Sequence, residues 1–450
     1  MKRTDLDKRQ FSRIEAILPI YISPEFLGET VDLSETGISF ILKKPLLLSK
    51  AQAKIKFASG ENVDTEFKVI WSKYLVKDGK FTYGACFIRF KEKDLEIIRS
   101  ILIKSSLNSL LQKVIDKKNQ DLISAFWNDD LREYINKLAK MTKLLEQGED
   151  KEPIYKEVVS SSDAIMQRGD ELENRLNDKM LIKKVKKAFR EICGPWVYQS
   201  EIVKRAFEKP RGYPGDYKII EIIYDNKPIS QNFGFCADRY FLNNAYAVAI
   251  RNRKDKMREI LFSYLNNTNS PKVSILNIAC GSNRELKEIF VDQKFSPKRD
   301  IMLTLVDQDE EALKFSEQAL GGSAKKLACR FMQHNVLEYI NQSTKYSEIL
   351  GMQDLIYSIG LADYLPDRVL KNLIIFCFNL LKPEGQLIIA HKDAAKYKPL
   401  SPDWWCDWTF YPRDENSLMK LIHETQINNL DIKIEREPSK IICFLTIKKK

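Results

Sequence analysis

The stretch ILNIACGSNREL, residues 275–286, decides how the second half of the chain is read. Ile275, Leu276 and Ile278 make a short apolar run that ends in the small residues Ala279, Cys280, Gly281 and Ser282. A small-residue turn between a buried strand and a helix lets backbone groups approach a ligand that a side chain would block. Further along, Asp307 ends the next apolar run in LTLVDQDEEAL (303–313). A carboxylate at the end of a second strand can accept both hydroxyls of a ribose. Only Gly281 stands where a full dinucleotide fingerprint has three glycines, so the turn by itself reads equally as an ordinary strand-to-helix connection.

Working outward, strand-like runs alternate with helix-like ones: KVSILNIAC, DIMLTLVD, LACRFMQHN, DLIYSIG and GQLIIAH. That alternation predicts a parallel sheet with helices on both faces. The closing runs LDIKIERE and KIICFLTIKK are adjacent and predict an antiparallel pair at the sheet's end. The first part of the chain differs. RIEAILPIYI, ISFILKK, AKIKF, EFKVIWSKYL and FTYGACFIRF are short β-type runs, the last two joined around Asp78-Gly79, and they predict a small barrel or sandwich. From KEKDLEIIRSILIKSSLNSLLQKVI to about residue 206 the period becomes helical, with a polar break at EQGEDKEP. This amphipathic middle suits a linker bundle or a homodimer interface.

The charge of +11, from 73 basic and 62 acidic residues, permits an anionic ligand, a nucleic acid or a membrane surface and selects none. No membrane-length apolar run occurs and MKRTDLDKRQ has no signal-peptide core, so a cytoplasmic protein without stable membrane insertion is expected. The eight cysteines include no C-x-x-C pair, which favours reduced thiols over a disulfide frame or a metal site.

On these residues, 270–450 resembles the class I S-adenosylmethionine-dependent methyltransferases. The resemblance implies that Asn277, Ala279, Cys280 and Gly281 hold the methionine part of the cofactor, and Asp307 with Gln308 the ribose. It places an adenine contact at Asn335 in MQHNV, and Ser358, Gly360, Asp363 and Tyr364 of DLIYSIGLADYLPD beside cofactor and substrate. LLKPEGQLIIA matches the family's helix, turn and fifth strand, and a seven-stranded sheet follows. Three departures stand out: Asn277 where an acidic residue is common, Ala279 for the first glycine, and Asn335 where Asp is frequent. Asn can still donate and accept at such positions.

From about residue 180 onward the chain looks like a narrower bacterial group that makes a 3-hydroxy-fatty-acid methyl ester, through RGYPGDY, IACGSNREL, YSIGLADYLPD and DWTFYPRDE. A carboxylate acceptor is ionised at neutral pH and needs no general base. Arg211 or Arg239 is then expected to hold it, with Asp216 nearby and Tyr213, Tyr217 and Tyr240 walling the pocket. His391, at the end of the fifth strand, reads either as a substrate contact or as a satisfied structural residue. The tryptophans of LSPDWWCDWTFYPRDEN read equally as a loop folded on its own apolar cluster.

Near the start, Arg9 and Arg13 precede the first strand, and Asp32, Ser34 and Gly37 form VDLSETG. Guanidinium groups suit phosphates and flat rings, and a carboxylate can take two hydrogen bonds from a guanine edge. With YGACF (Tyr83, Gly84, Phe87), residues 8–105 resemble a PilZ domain, the bacterial receptor for cyclic di-GMP. The resulting expectation is a PilZ-like barrel over 1–105, a helical linker over 106–206 and a methyltransferase with capping helices over 207–450. Cyclic di-GMP would regulate methyl transfer to a small-molecule acceptor, for which the carboxylate of a 3-hydroxy fatty acid is one candidate. The rival is a cyclic di-GMP receptor and scaffold whose second domain binds cofactor or a partner without turnover. A nucleic-acid methyltransferase has only the net charge in its favour, because YSIG stands where an N/D-P-P-Y/F motif would follow the fourth strand.

Overall fold

A computed structural model describes residues 14–23, 26–57, 60–89, 92–292, 295, 297–321 and 327–450. The chain divides into two compact units, Met1–Ser200 with Gln231–Ala237, and Glu201–Ser230 with Asp238–Lys450.

The first unit begins with seven strands: β1 (Ile14–Glu15), β2 (Pro19–Ile22), β3 (Phe26–Leu33), β4 (Gly37–Leu42), β5 (Lys50–Lys56), β6 (Asn62–Leu75) and β7 (Lys80–Arg89). Their order is β1-β3-β2-β5-β6-β7-β4, and a further β3–β4 pairing closes six of them into a barrel, not a sandwich. Strict alternation drives closure. In β5 every second residue is buried, and Ile20, Leu33, Ile38, Phe40, Ile55, Val63 and Phe67 fill the interior. The Asp-x-Ser-x-x-Gly segment is the turn between β3 and β4. The Ser34 hydroxyl donates to Gly37 O and accepts from Gly37 N–H, each at 3.1 Å, so it closes the turn on itself.

Helices α1 (Glu92–Leu111), α2 (Lys117–Ala125), α3 (Arg132–Glu146), α4 (Lys151–Leu176) and α5 (Lys179–Val197) follow. Asp116, Asp150 and Asp178 cap α2, α4 and α5 by accepting backbone N–H groups of the first turn. The polar break falls between α3 and α4, where Gly148 has φ +86°. One face of α1 belongs to the barrel, because Ile98 is part of its core. Arg99 on α1 reaches the motif turn, where it pairs with Glu35 at 2.6 Å, both side chains 9% exposed.

The second unit opens with α6 (Glu201–Glu208), α7 (Tyr217–Asp225) and α9 (Ala245–Asn267), while α8 (Asn232–Asn243) spans the division. Then come β8 (Lys272–Ile278), α10 (Arg284–Lys287), β9 (Asp300–Asp307), α11 (Glu310–Leu320), β10 (Leu327–Gln333), α12 (Val336–Asn341), α13 (Ser343–Leu350) and β11 (Gln353–Ser358). The chain ends with α14 (Asp367–Asn379), β12 (Leu381–Lys392), α15 (Leu400–Cys406), α16 (Glu415–His423), β13 (Leu430–Arg436) and β14 (Ile442–Lys449). The sheet order is β10-β9-β8-β11-β12-β14-β13. The first five run parallel, and β14 is antiparallel to β12 and β13. This is a seven-stranded mixed sheet, five parallel strands closed by an antiparallel pair, as the sequence pattern predicts. The order reverses between β8 and β11, and such a switch point leaves a crevice at the strand ends. Among the described residues no helix is long and apolar enough to cross a membrane, and none of the eight cysteines is in a disulfide.

Breaking a buried ion pair leaves one charge without its partner. Arg99→Met is therefore expected to destabilise the first unit by roughly 3 kcal/mol in urea unfolding, and Glu35→Gln added to it should restore part of that loss.

Candidate functional site

Three backbone features shape the turn after β8. Ala279, Gly281 and Asn283 are all left-handed, with φ of +55°, +56° and +51°. For Ala279 that conformation costs about 1 kcal/mol, because its Cβ crowds the following carbonyl. Side chains hold the turn open: Asn283 Nδ2 donates to Ser316 Oγ (3.0 Å), and Ser316 Oγ donates to Gly281 O (2.7 Å). Asp307, at the end of β9, accepts from Gly281 N–H at 2.8 Å and from Asp309 N–H at 2.9 Å. Burial pushes its carboxyl above the usual range, while those N–H groups pull the other way.

A cleft of about 220 Å³ opens at these strand ends. Ala279, Cys280, Gly281, Asp307, Gln308 and Gly360 form its floor, with His334 and Val336 at the end of β10. Tyr213, Tyr217, Tyr224, Tyr246, Tyr364 and Trp408 close over it. Trp408 Nε1 donates to the Tyr364 hydroxyl at 2.7 Å. Burial first, and nearby carboxylates next, push the Tyr213 hydroxyl far up; burial does the same to Tyr364. Both stay protonated and can donate.

Two charged side chains in this cleft carry no mark in the sequence pattern. Glu285 is 2% exposed, and its carboxyl is pushed up to about 6 by burial, against hydrogen bonds and Arg253 that pull it down. It accepts from Tyr357 Oη at 2.9 Å, and Tyr357 Oη in turn accepts from Asn277 Nδ2 at 2.9 Å. Arg253, on α9, is 5% exposed and lines the same cleft. Its Nε has no hydrogen-bond partner. Burial works against its charge, but Tyr224, Tyr246 and Asp363 together keep it firmly protonated.

The other expected residues are placed as follows. Asn277 is buried beneath the turn, its Nδ2 on Asn283 Oδ1 at 2.7 Å and its own Oδ1 without a partner. Ser358 Oγ donates to Ile278 O and ties β11 to β8. Asn335 caps α12 in a reciprocal box with Glu338, and its Nδ2 donates to Gln308 Oε1 at 3.0 Å. Arg211 is paired with Asp309 and Glu311. Asp216 is fully buried, caps α7 and pairs with Arg205 at 2.7 Å. Asp363 accepts from Lys392 N–H at 2.9 Å and faces His391 at 3.3 Å. Arg239, Tyr240, Asp363 and His391 lie outside the cleft's lining, and Tyr240 packs on Trp405 with ring centroids 5.1 Å apart. In the barrel, Asp32 is half-buried beside the turn held by Ser34 and Gly37, whereas Arg9 and Arg13 lie outside the described residues.

Residues 7–104 match the family model of the PilZ domain. No curated protein matches the chain significantly. Among solved structures, the chain is similar to a "possible exported protein" from Bordetella parapertussis at 15% identity, covering 72% of this chain and 96% of that one, TM-score 0.42. It is similar to magnesium protoporphyrin IX methyltransferase from Synechocystis PCC 6803 with bound SAH at 13% identity, covering 56% and 99%, TM-score 0.36. It is similar to the Bacillus subtilis inhibitor of motility (MotI/DgrA) at 21% identity, covering 23% of this chain and 53% of that one, TM-score 0.22.

Folding raises the Glu285 carboxyl from 4.5 to about 6, so the folded state binds the extra proton between those values. Stability should accordingly fall as pH rises from 4.5 to 6, by roughly 2 kcal/mol relative to Glu285→Gln. Urea unfolding of both proteins across that window measures the difference.

Proposed function

We propose that the protein is a cyclic di-GMP-responsive methyltransferase that uses S-adenosylmethionine and a small-molecule acceptor. The observation that carries this reading is the trio Arg253, Glu285 and Asp307 around one cleft at the sheet's switch point. An α-amino acid headgroup needs an anion and a cation close together in a water-poor place. Glu285 would take the ammonium of the cofactor's methionine part, and Arg253 its carboxylate. Asp307 would take the ribose hydroxyls, beside the turn at Gly281 that leaves room for them. Glu285 would thereby supply the charge that Asn277 lacks, and Asn277 is one of the two departures, with Asn335, that favour a scaffold without turnover.

S-adenosylmethionine supplies a methyl group on a sulfonium, which aromatic faces such as those of Tyr213 and Tyr364 attract. The chain's own work is alignment and exclusion of water. Tyr213 and Tyr364 would donate to an acceptor carboxylate, and Ile220, Ile250, Ile359 and Leu361 offer apolar wall to its chain. That lining supports a fatty acyl acceptor such as a 3-hydroxy fatty acid, with the carboxylate already ionised. At the barrel, Asp32, Ser34 and Gly37, together with Arg9 and Arg13, would bind cyclic di-GMP.

Calorimetry with S-adenosylmethionine tests the cofactor site. Asp307→Ala and Arg253→Met are each expected to weaken binding about tenfold or more, as buried charge-assisted contacts are lost. Wild-type affinity in both variants would place the cofactor elsewhere.

Regulation has its own test. The affinity for each ligand is measured with the other absent and saturating. A coupling of about 1–3 kcal/mol is expected, equal in both directions. Unchanged affinities together with unchanged turnover would mean two independent sites on one chain.

A further inference from the structure

A groove of about 780 Å³ runs between α1 and α5 in the first unit, within the range of about 300–1,000 Å³ usual for small-molecule sites. It exists because of the side chains these helices turn toward it. On α1 the lining positions step by three and four from Leu102 through Ser105 and Ser106 to Ser109, and on α5 they step by four from Lys184 through Ala188 to Ile192. Serine and alanine leave empty the space that larger side chains would fill. The floor is apolar: Ile103, Leu110, Ile135 and Trp196 line it, each at most 6% exposed.

The rim is charged, and its charges do not cancel. Two carboxylates line the groove and both are engaged, Glu35 with Arg99 at 2.6 Å and Glu191 with Lys187 at 3.8 Å. Lys113 and Lys184 line it as well, and neither amine has an ion-pair or hydrogen-bond partner among the described residues. The hydroxyls of Ser105, Ser106 and Ser109 are equally uncommitted there. An apolar floor beneath two unmatched ammonium groups and three hydroxyls suits a ligand that is apolar along its body and negative at one end. The lining on α1 from Arg99 to Leu110 is about 16 Å long, and a helix of that length, about 10 Å across, would need roughly 1,250 Å³. The groove is too small for one. Its arginine is spent on Glu35, so point-charge ammonium groups remain rather than a guanidinium fork for a phosphate.

We infer that this groove binds a single-chain amphiphile with a carboxylate head, its acyl chain on the apolar floor and its head on the lysine rim. None of the lining residues belongs to the second unit's cleft, so the inference does not rest on the methyltransferase reading. The occupant would lie against the Glu35–Arg99 pair that ties α1 to the turn between β3 and β4.

Calorimetry of the full chain with dodecanoate, kept below its micellar concentration, tests this. Lys113→Glu combined with Lys184→Glu should weaken one equivalent of binding roughly tenfold or more, and Ser106→Phe, which fills the groove without changing its charge, should abolish the same equivalent. Dodecanoate held in the second unit's cleft would survive both changes, so the loss of one equivalent is the readout. The two lysines are exposed, and their variant tests the site even if Ser106→Phe disturbs the packing of α1. The inference is overturned if the wild type takes up no dodecanoate or if the variants keep every equivalent. It is equally overturned if dodecyltrimethylammonium binds as tightly as dodecanoate, or if inorganic phosphate alone binds at the same lysines.

Discussion

The carboxylate of Asp307 is the constraint on which the second unit's site depends. It ends β9, yet its two oxygens hold the backbone of two different turns, at Gly281 and at Asp309. The turn after β8 has three left-handed residues, one of them alanine, and would relax without such an anchor. Cys280 N–H on Val306 O, at 2.9 Å, adds a second tie between the same two strand ends. The cleft floor is therefore held in shape before any ligand arrives, and less of the binding energy goes into ordering it.

The roof answers a different need. Tyrosines from α7, α9 and the segment before them, with Trp408, cover Arg253 and Glu285 and thin out the water around them. Charge–charge interactions strengthen in such a place, and two opposite charges facing one space favour a ligand that carries both signs. Arg211 contributes indirectly, since its pairing with Asp309 and Glu311 fastens the roof segment to the loop after β9.

Much of this was legible from residue order. Strand–helix alternation, the small-residue turn and Asp307 at a strand end are local signals, and local signals survive without tertiary knowledge. Arg253 is different: in AIRNRKDKM it looks like one solvated charge among several, and only the packing of α9 over the strand ends buries it. Glu285 likewise reads as an ordinary first-turn acid of α10. Asn335 shows the converse. Its spacing to Glu338 spells a capping box, a local signal that accounts for its side chain without a ligand.

Helix α1 has a bearing on how such a chain can change over generations. Ile98 sits in the barrel core, Leu107 and Leu110 are buried further along, and the helix contacts α2, α3 and α5. Arg99 is committed to Glu35 inside the motif turn. One rod thus serves two hydrophobic cores, and a crossover anywhere within it would mismatch a buried charge or leave an apolar face bare. The barrel cannot be exchanged for another domain by cutting at its last strand without baring the face of α1 that it covers. Barrel and helices share this rod, and Glu35 and Arg99 bury their charges against each other, so a change at one is felt at the other.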